Sequence, residues 1–217
     1  MKSIVNLFPT VTLQAIIENH QDINQRLKNE LVNLFDKKNL KRELSHKWND
    51  YSLTNEKSSL GYTSFNDDNL VCNRNFEFYF EHLSDLITDF FQQLEYNDEW
   101  HFVNAWASVY PKGAFVPEHD HKPMHWSAAY YVKAPENCGD IIFTDPKEYA
   151  LQNEPRNTQY RGCLDYRVTP EDGMLLLFPG YLKHETMPNQ SSEDRIIISF
   201  NIICGSKAHA DLSLQLA

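Results

Sequence analysis

The sequence predicts one mainly β domain, an antiparallel sandwich or barrel preceded by supporting helices. Seven short apolar segments between residues 101 and 203 are separated by Gly, Pro and Asn turns, which is typical of antiparallel strands and not of a βαβ sheet. Two amphipathic segments with helical spacing come before them. Aromatic residues make up 13% of the chain, which suits the thick packing layers of a β-rich core.

The N-terminal part is expected to hold one extended segment and two helices. Residues 4–17 are expected to be extended, with Val11, Leu13 and either Ile16 or Ile17 buried. Residues 22–38 and about 75–96 are predicted to be helices, because apolar side chains recur there at helical spacing. The stripe of the second helix is expected to pack against a sheet. It comprises Phe76, Phe80, Leu83, Ile87, Phe90 or Phe91, and Leu94. The polar tract at 37–75 is predicted to form loops with short extended pieces.

The strands follow from residue 101 onward. They are predicted at 101–110, 125–132, 140–144, 164–168, 173–178, 181–186 and 195–203. No linker or internal repeat is visible, so residues 1–217 are expected to form a single domain. In it, residues 1–98 supply the extended segment and supporting helices, and residues 99–206 form the β core.

Composition excludes several classes of function. The chain has 30 acidic and 20 basic residues and a net charge of -10, which argues against nucleic-acid binding. No apolar run is long enough to span a membrane, and the N-terminal apolar run is too short for a signal peptide. The four cysteines lack CxxC spacing. We therefore expect free thiols and a cytoplasmic location.

Three histidines form a candidate metal site. His119 and His121 are two residues apart, and His184 follows the turn after the strand at 173–178. If the first two lie on a strand, their side chains share one face and could bind one ion, while Asp120 points the other way. Three protein ligands with open positions are typical of a catalytic metal site. The alternative is that all three are ordinary surface or loop histidines.

The last predicted strand carries a candidate anion-binding residue. Alternation places Arg195, Ile197, Ser199 and Asn201 on one face and a fully apolar set on the other. An arginine within so apolar a strand should be partly buried and should need an anion. That anion could be a bound carboxylate, or one of the protein's own Asp and Glu side chains.

These residues, in this order, resemble the Fe(II)- and 2-oxoglutarate-dependent oxygenases. More narrowly, the chain is similar to a family of oxygenases common in phages and marine bacteria. The resemblance rests on the following pieces: Leu7-Phe8-Pro9-Thr10, Asn104-Ala105-Trp106, Gly113, His119-x-His121, Ser127-Ala128-Ala129-Tyr130-Tyr131-Val132, Asp145-Pro146, Pro170-x-x-Gly173-Met174-Leu175-Leu176-Leu177-Phe178-Pro179, His184 and Arg195-x-x-x-Ser199-Phe200-Asn201.

The resemblance implies a double-stranded β-helix, or jelly roll, with Fe(II) at its open end. His119 and His184 would be metal ligands. His121 stands where the superfamily normally has Asp or Glu, with Asp120 as the fallback ligand. Arg195 would bind the distal carboxylate of 2-oxoglutarate, and Ser199 on the same face would assist. Tyr131 matches a tyrosine that helps this contact in some relatives. Tyr130 is the alternative, and both also fit plain core positions.

The implied reaction is hydroxylation of a C–H bond with O2, releasing succinate and CO2. One alternative is a cupin-like three-histidine metalloenzyme that does not use 2-oxoglutarate. Another is a non-catalytic jelly-roll binding module. The primary substrate is not readable from the sequence. Oligomeric state is also open, with a homodimer as one option.

Overall fold

Nine strands and two α-helices make up the part of the chain that the computed structural model describes, residues 3, 9–37, 62–65, 68–96, 98–147 and 165–205. The strands are β1 (Leu13–Ile16), β2 (Tyr62–Thr63), β3 (Trp100–Tyr110), β4 (Trp126–Lys133), β5 (Ile141–Thr144), β6 (Asp165–Val168), β7 (Met174–Pro179), β8 (His184–Thr186) and β9 (Arg195–Cys204). The helices are α1 (His20–Lys37) and α2 (Glu77–Gln93). Both predicted helices and all seven predicted strands are confirmed.

The strands form two antiparallel sheets that enclose a shared core. The large sheet has the order β1-β7-β4-β9-β3-β2, and the small sheet has the order β6-β5-β8. One cluster of buried side chains joins them, with Ile141 and Phe143 from the small sheet against Tyr131 and Phe178 from the large one. The mainly β sandwich predicted from the turn spacing is therefore confirmed, as a jelly roll with helices packed outside it.

Strand β9 contributes to two separate clusters of buried side chains, because its side chains alternate almost regularly between its two faces. Ile198, Phe200 and Ile202 belong to the cluster shared with the helices, whereas Ile197 belongs to the cluster between the sheets. Arg195 lies on the same face as Ile197, since side chains two residues apart in a strand point the same way. The large sheet thus presents Arg195 to the interior of the sandwich.

The helices cover the opposite face of the large sheet. The buried face of α2 is wider than the predicted stripe, because Tyr79 is buried and Phe90 and Phe91 both are. The prediction for Leu94 is wrong, because Leu94 follows the end of the helix and is 37% exposed. From α1, Leu27, Leu31 and Leu34 are buried in the same cluster. This layer supports the sheet from behind and leaves the interior face free for a site.

Residues before position 98 also contribute strands to the large sheet. Strand β1 pairs with β7, with Leu13 opposite Leu177, and β2 pairs with the edge of β3. Among the described residues of the first segment, Ile17 is buried and Leu13 is half-buried. The expectation that Val11 is buried is wrong, because Val11 precedes β1 and is 39% exposed. The proposed division of one domain into residues 1–98 and 99–206 stays a prediction.

The polar tract is described only in part. Residues 38–61 lie outside the described ranges. Beyond them, β2 is followed by two 3-10 turns, Leu70–Cys72 and Arg74–Phe76. Cys72, Cys138 and Cys204 are free thiols as expected, and Cys163 is not among the described residues. Within the described ranges, no helix has the length and hydrophobicity needed to cross a membrane.

Candidate active site

The three histidines come together from two segments that pair through their backbones. His119 lies in the loop between β3 and β4, and its backbone forms an isolated antiparallel bridge with His184 of β8. The N–H of His121 donates to the carbonyl of Gly180 at 2.7 Å. His119 and His121 therefore lie outside the strands of the described part of the chain, so the condition under which a strand would align them is not met. The side chains converge nonetheless.

The imidazoles are close enough to share one ion. Their ligand atoms all lie within 4.8 Å of one another, and the His119 and His184 ring centroids are 4.2 Å apart. Nδ1 of His119 lies 2.9 Å from the carbonyl of Pro117, and Nδ1 of His184 lies 3.0 Å from that of Leu182. Because a carbonyl only accepts, each Nδ1 carries the hydrogen and each Nε2 is unprotonated, the form that binds metals.

Burial keeps these histidines neutral. It lowers the pKa of His119, and it lowers the pKa of His121 to about 3, with repulsion from His119 adding to the effect. Burial, with charge repulsion from the other two rings, holds the pKa of His184 well below its usual range. Neutral imidazole is the protonation state that a metal needs, so protons compete little for these nitrogens near neutral pH.

Asp120 is directed elsewhere. Its carboxylate accepts hydrogen bonds from Nζ of Lys122 at 2.8 Å and from the backbone N–H of Lys122 at 3.3 Å. The cluster of possible metal ligands in the described part of the chain comprises His119, His121 and His184, without Asp120. Within the described ranges, the geometry thus brings together three neutral ligands and no carboxylate.

Arg195 is fully buried on the interior face of β9 and is surrounded by neutral acceptors. Its Nη1 donates to the carbonyls of Cys138 at 2.7 Å, Gly139 at 3.3 Å and Met187 at 3.3 Å. Its Nη2 donates to Oγ1 of Thr186 at 3.0 Å. The structure records no carboxylate partner for Arg195 among the described residues. A buried guanidinium held only by neutral groups keeps its charge available for an incoming anion.

Gly139 allows the three backbone carbonyls to approach Nη1 of Arg195 together. It has a φ of +90°, and a Cβ at this position would collide with the carbonyl oxygen of Met187. Only glycine combines that backbone conformation with so close an approach. The loop before β5 can therefore come within hydrogen-bonding distance of Arg195.

In the described part of the chain, two buried polar atoms at or beside Arg195 have no hydrogen-bond partner. They are the Nε of Arg195 and the hydroxyl of Tyr131. Burial raises the pKa of Tyr131, although the Arg195 charge opposes this, so its hydroxyl remains a donor. Unpaired buried donors are costly, and a carboxylate would satisfy both. The described residues thus fit a 2-oxoglutarate carboxylate as well as a divalent metal.

Tyr130 and Ser199 are placed differently from Tyr131. Tyr130 faces the helices, where its hydroxyl donates to Oδ1 of Asn24 at 2.7 Å. Ser199 is half-buried on the Arg195 face and lies opposite Ala129 of β4 and Trp106 of β3. Of the two tyrosines, only Tyr131 lies beside Arg195.

Several site residues received no role from sequence reasoning. The Trp106 ring centroid is 5.8 Å from that of His121, and Thr186 holds Nη2 of Arg195. Asn104 and Asn201 form a hydrogen-bonded pair on the interior face. The pattern of β3 could have indicated these residues. Asn104 and Trp106 alternate with alanines, as expected for a strand with a polar and aromatic face opposite a face of small residues.

Comparison with known proteins agrees with this site. Residues 104–201 match the sequence model of a family described as "Putative 2OG-Fe(II) oxygenase". That segment contains the three histidines, Tyr131, Arg195 and Ser199. A comparison with curated protein sequences gave no match.

Solved structures with a similar fold include three prolyl hydroxylases. A Pseudomonas putida prolyl-4-hydroxylase shares 15% identity at a TM-score of 0.56, covering 89% of this chain and 92% of that one. A prolyl hydroxylase from Trichoplax adhaerens shares 15% identity at a TM-score of 0.58, covering 93% and 86%. A viral collagen prolyl hydroxylase from Paramecium bursaria Chlorella virus-1 shares 15% at 0.53, covering 90% and 96%.

At such low identity these structures establish the fold alone, a double-stranded β-helix. The family match and the histidine cluster support the assignment of the reaction class and the requirement for Fe(II), 2-oxoglutarate and O2. Over residues 104–201 the chain is thus similar to the Fe(II)- and 2-oxoglutarate-dependent oxygenases.

Proposed function

We propose that His119, His121 and His184 hold Fe(II), and that Arg195 and Tyr131 bind the distal carboxylate of 2-oxoglutarate. The enzyme is a dioxygenase of the hydroxylase type, acting on a C–H bond of an unidentified substrate. The residue assignment rests on one observation, which is that two features occur together inside the β-sandwich. A buried arginine, with no carboxylate partner among the residues that the structure describes, lies on the same sandwich interior as three converging neutral imidazoles.

The residues have separate tasks. When bound, Fe(II) and 2-oxoglutarate supply the activation of O2 that oxidises the substrate and yields succinate and CO2. Lone pairs of the three imidazoles would hold the metal. The backbone bridge between His119 and His184 keeps the imidazoles in place before the metal arrives, which reduces the reorganisation that binding requires.

The charges in the site favour a dianionic cosubstrate. Three imidazoles contribute no negative charge, so Fe(II) and Arg195 together leave the site strongly positive. Two carboxylates from 2-oxoglutarate would neutralise most of this charge, one near the metal and one at Arg195. Tyr131 would donate its free hydroxyl to the distal carboxylate, and Ser199 would contribute a hydroxyl from the same face.

The substrate is not identified by the structural neighbours. Three of them are prolyl hydroxylases, and an activity on proline is one hypothesis for this chain, with sequence identity too low to favour it. A cytoplasmic location, a lack of nucleic-acid binding and a homodimer also stay predictions. Size-exclusion chromatography would test the last of these.

The decisive experiment adds Fe(II) and 2-oxoglutarate to the protein without O2. A weak visible charge-transfer band is expected for wild type. Affinity for 2-oxoglutarate should greatly exceed that for pyruvate, which lacks the distal carboxylate. Arg195→Ala should remove this preference, weakening 2-oxoglutarate binding by roughly 100-fold. The matched control is Arg167→Ala, because Arg167 is exposed and pairs with Asp165.

The outcomes separate the alternatives. Metal binding that is unaffected by 2-oxoglutarate and by Arg195→Ala would indicate a three-histidine enzyme that does not use this cosubstrate. Metal content that is negligible and unchanged by His119→Ala would indicate a non-catalytic module. Thermal-shift titration serves as a second readout, because a ligand that binds only the folded state raises its apparent stability.

A further inference from the structure

The wall of the large sheet beside His121 carries aromatic groups that neither the metal nor 2-oxoglutarate requires. The indole of Trp106 lies next to the His121 ring, with centroids 5.8 Å apart. Phe65 meets Trp106 edge to face at 4.9 Å, yet Phe65 is 48% exposed. Together they form an apolar surface that begins at a proposed metal ligand and leads outward to solvent.

Phe65 is held in place by the edge of the sheet. The N–H of Ser64 donates to the carbonyl of Ala107 at 2.9 Å, and Oγ of Ser64 accepts from the N–H of Ala107 at 3.0 Å. Thr63 pairs with Ser108 in the β2–β3 ladder. An exposed aromatic ring with such an anchored backbone is positioned for contact.

A directed chain of hydrogen bonds ends beside the indole. Oγ of Ser127 donates to Oδ1 of Asn201 at 2.7 Å, and Nδ2 of Asn201 donates to Oδ1 of Asn104 at 2.9 Å. The Nδ2 of Asn104 makes no recorded hydrogen bond in the described part of the chain, and it is not among the fully buried atoms. Asn104 and Trp106 lie two apart on one face of β3, so this free donor lies beside the indole.

We propose that Phe65, Trp106 and Asn104 form the primary-substrate subsite, which binds a saturated apolar ring or chain flanked by a neutral carbonyl group. The two aromatic rings would pack against the C–H groups, and Nδ2 of Asn104 would donate to the carbonyl oxygen. None of these side chains carries a charge, so they provide no ion-pair partner for a charged group. This inference rests on the proposed function and specifies its substrate class.

The position of the subsite explains how selectivity would arise. Trp106 contacts the metal-site histidine on one side and Phe65 on the other, so an apolar group packed there lies next to the metal. The carbonyl contact to Asn104 would then set which C–H bond faces the metal. A substrate without the carbonyl leaves the amide donor unpaired, and a site built around such a donor discriminates against it.

The test measures binding without turnover. Protein loaded with Mn(II) and 2-oxoglutarate is titrated anaerobically with cyclopentanecarboxamide, and the proton relaxation of the probe is followed by NMR. Mn(II) shortens the relaxation times of nearby protons, so the readout reports both binding and proximity to the metal. The comparison probes are acetamide, which lacks the ring, and cyclopentylmethanol, which lacks the carbonyl.

Wild type should bind cyclopentanecarboxamide more tightly than either comparison probe, with its ring protons relaxed by Mn(II). Asn104→Asp keeps the acceptor for Asn201 but loses the donor, and should weaken binding by about five- to tenfold. Trp106→Leu should weaken it similarly. Tyr166→Ala removes a ring that is 67% exposed on β6 and should change nothing.

Equal binding of the three probes by wild type, or unchanged binding in both Asn104→Asp and Trp106→Leu, would overturn the proposal. Melting temperature, metal content and 2-oxoglutarate affinity are measured on the same samples. If one variant does not fold, the other still decides the result. Normal binding of metal and 2-oxoglutarate without probe selectivity would reject the subsite and leave the proposed function standing.

Discussion

His119 and His184 are joined by a reciprocal pair of backbone hydrogen bonds. The N–H of His119 donates to the carbonyl of His184 at 3.0 Å, and the N–H of His184 donates to that of His119 at 2.9 Å. This pairing fixes two proposed metal ligands, far apart in the sequence, by main-chain contacts alone. The site should therefore keep its shape without metal, and substitutions of single side chains should report on their chemistry.

The first prediction concerns His121, at the position where the family resemblance implies a carboxylate. His121→Ala should weaken Fe(II) or Mn(II) binding by more than about 100-fold, since even outer-shell partners contribute 10- to 100-fold. His121→Asp should retain binding within about tenfold, because carboxylate is an accepted third ligand. Isothermal titration under anaerobic conditions measures both. His82→Ala, at an exposed position of α2, is the control. Equal metal affinity for His121→Ala and wild type would exclude His121 as a ligand.

A second prediction separates Tyr131 from Tyr130. Tyr131→Phe removes a buried hydroxyl without a partner, so stability of the ligand-free protein should stay equal or rise. Affinity for 2-oxoglutarate should nevertheless fall about tenfold or more, because a hydrogen bond to a carboxylate contributes about 1.5–3 kcal/mol. Tyr130→Phe should do the reverse. It loses the bond to Asn24 and about 1 kcal/mol of stability, with normal cosubstrate affinity. Urea denaturation and 2-oxoglutarate titration provide the two readouts, and identical behaviour of the variants would contradict the assignment.

A third prediction addresses Thr186, whose Oγ1 accepts from the N–H of Val116 at 2.9 Å and from Nη2 of Arg195 at 3.0 Å. Thr186→Val leaves both donors without this acceptor at nearly constant volume. The free energy of unfolding should fall by about 2–4 kcal/mol, and 2-oxoglutarate should bind more weakly. Thr169→Val also removes a hydroxyl that hydrogen-bonds a neighbour, Asp140, but at an exposed position. It should change stability by less than about 0.5 kcal/mol. Similar losses of stability in the two variants would show that the Thr186 hydroxyl contributes no more than the exposed Thr169 hydroxyl.

The fourth prediction is the pH dependence of the metal-free protein. Burial lowers the pKa of His119, His121 and His184 in the folded state, so the unfolded state takes up protons first. Stability is therefore fully present above the unfolded pKa of about 6.5 and declines as pH falls below it. Each histidine contributes at most about 1.4 kcal/mol per pH unit.

Urea denaturation of chelator-treated protein between pH 7 and pH 5 measures this slope. His121→Asn should flatten it, because one buried histidine with a lowered pKa is removed. His82→Asn, on the exposed side of α2, should leave it unchanged. A slope that is the same in all three proteins would show that the buried histidines do not control the acid response.

Much of the fold was predictable because local patterns coincide with tertiary packing. In β9 the alternation of apolar residues is nearly unbroken, so both its faces could be assigned, including the interior position of Arg195. The helices were located by their apolar stripes. Val11 was assigned wrongly, because an apolar residue before a short edge strand has no local signal that tells whether another element covers it.

The candidate site was predictable only where residue chemistry is distinctive. The HxH pair, His184 and Arg195 are unusual enough in their contexts to be singled out. Trp106, Asn104 and Thr186 were not assigned roles, because tryptophan, asparagine and threonine are ordinary strand residues. Their roles arise from neighbours that lie far away in the chain.

The sequence by itself determined the positions of the strands from residue 101 onward along the chain, the face on which Arg195 lies and the set of candidate ligands. It could do so because strand periodicity and side-chain chemistry are local properties. Only the tertiary structure decided that Asp120 pairs with Lys122 and that Tyr131, not Tyr130, lies beside the arginine. It also decided that Arg195 has no carboxylate partner among the described residues. These outcomes depend on which backbone carbonyls and side chains the folded sheets bring within hydrogen-bonding distance, and no local pattern encodes those contacts.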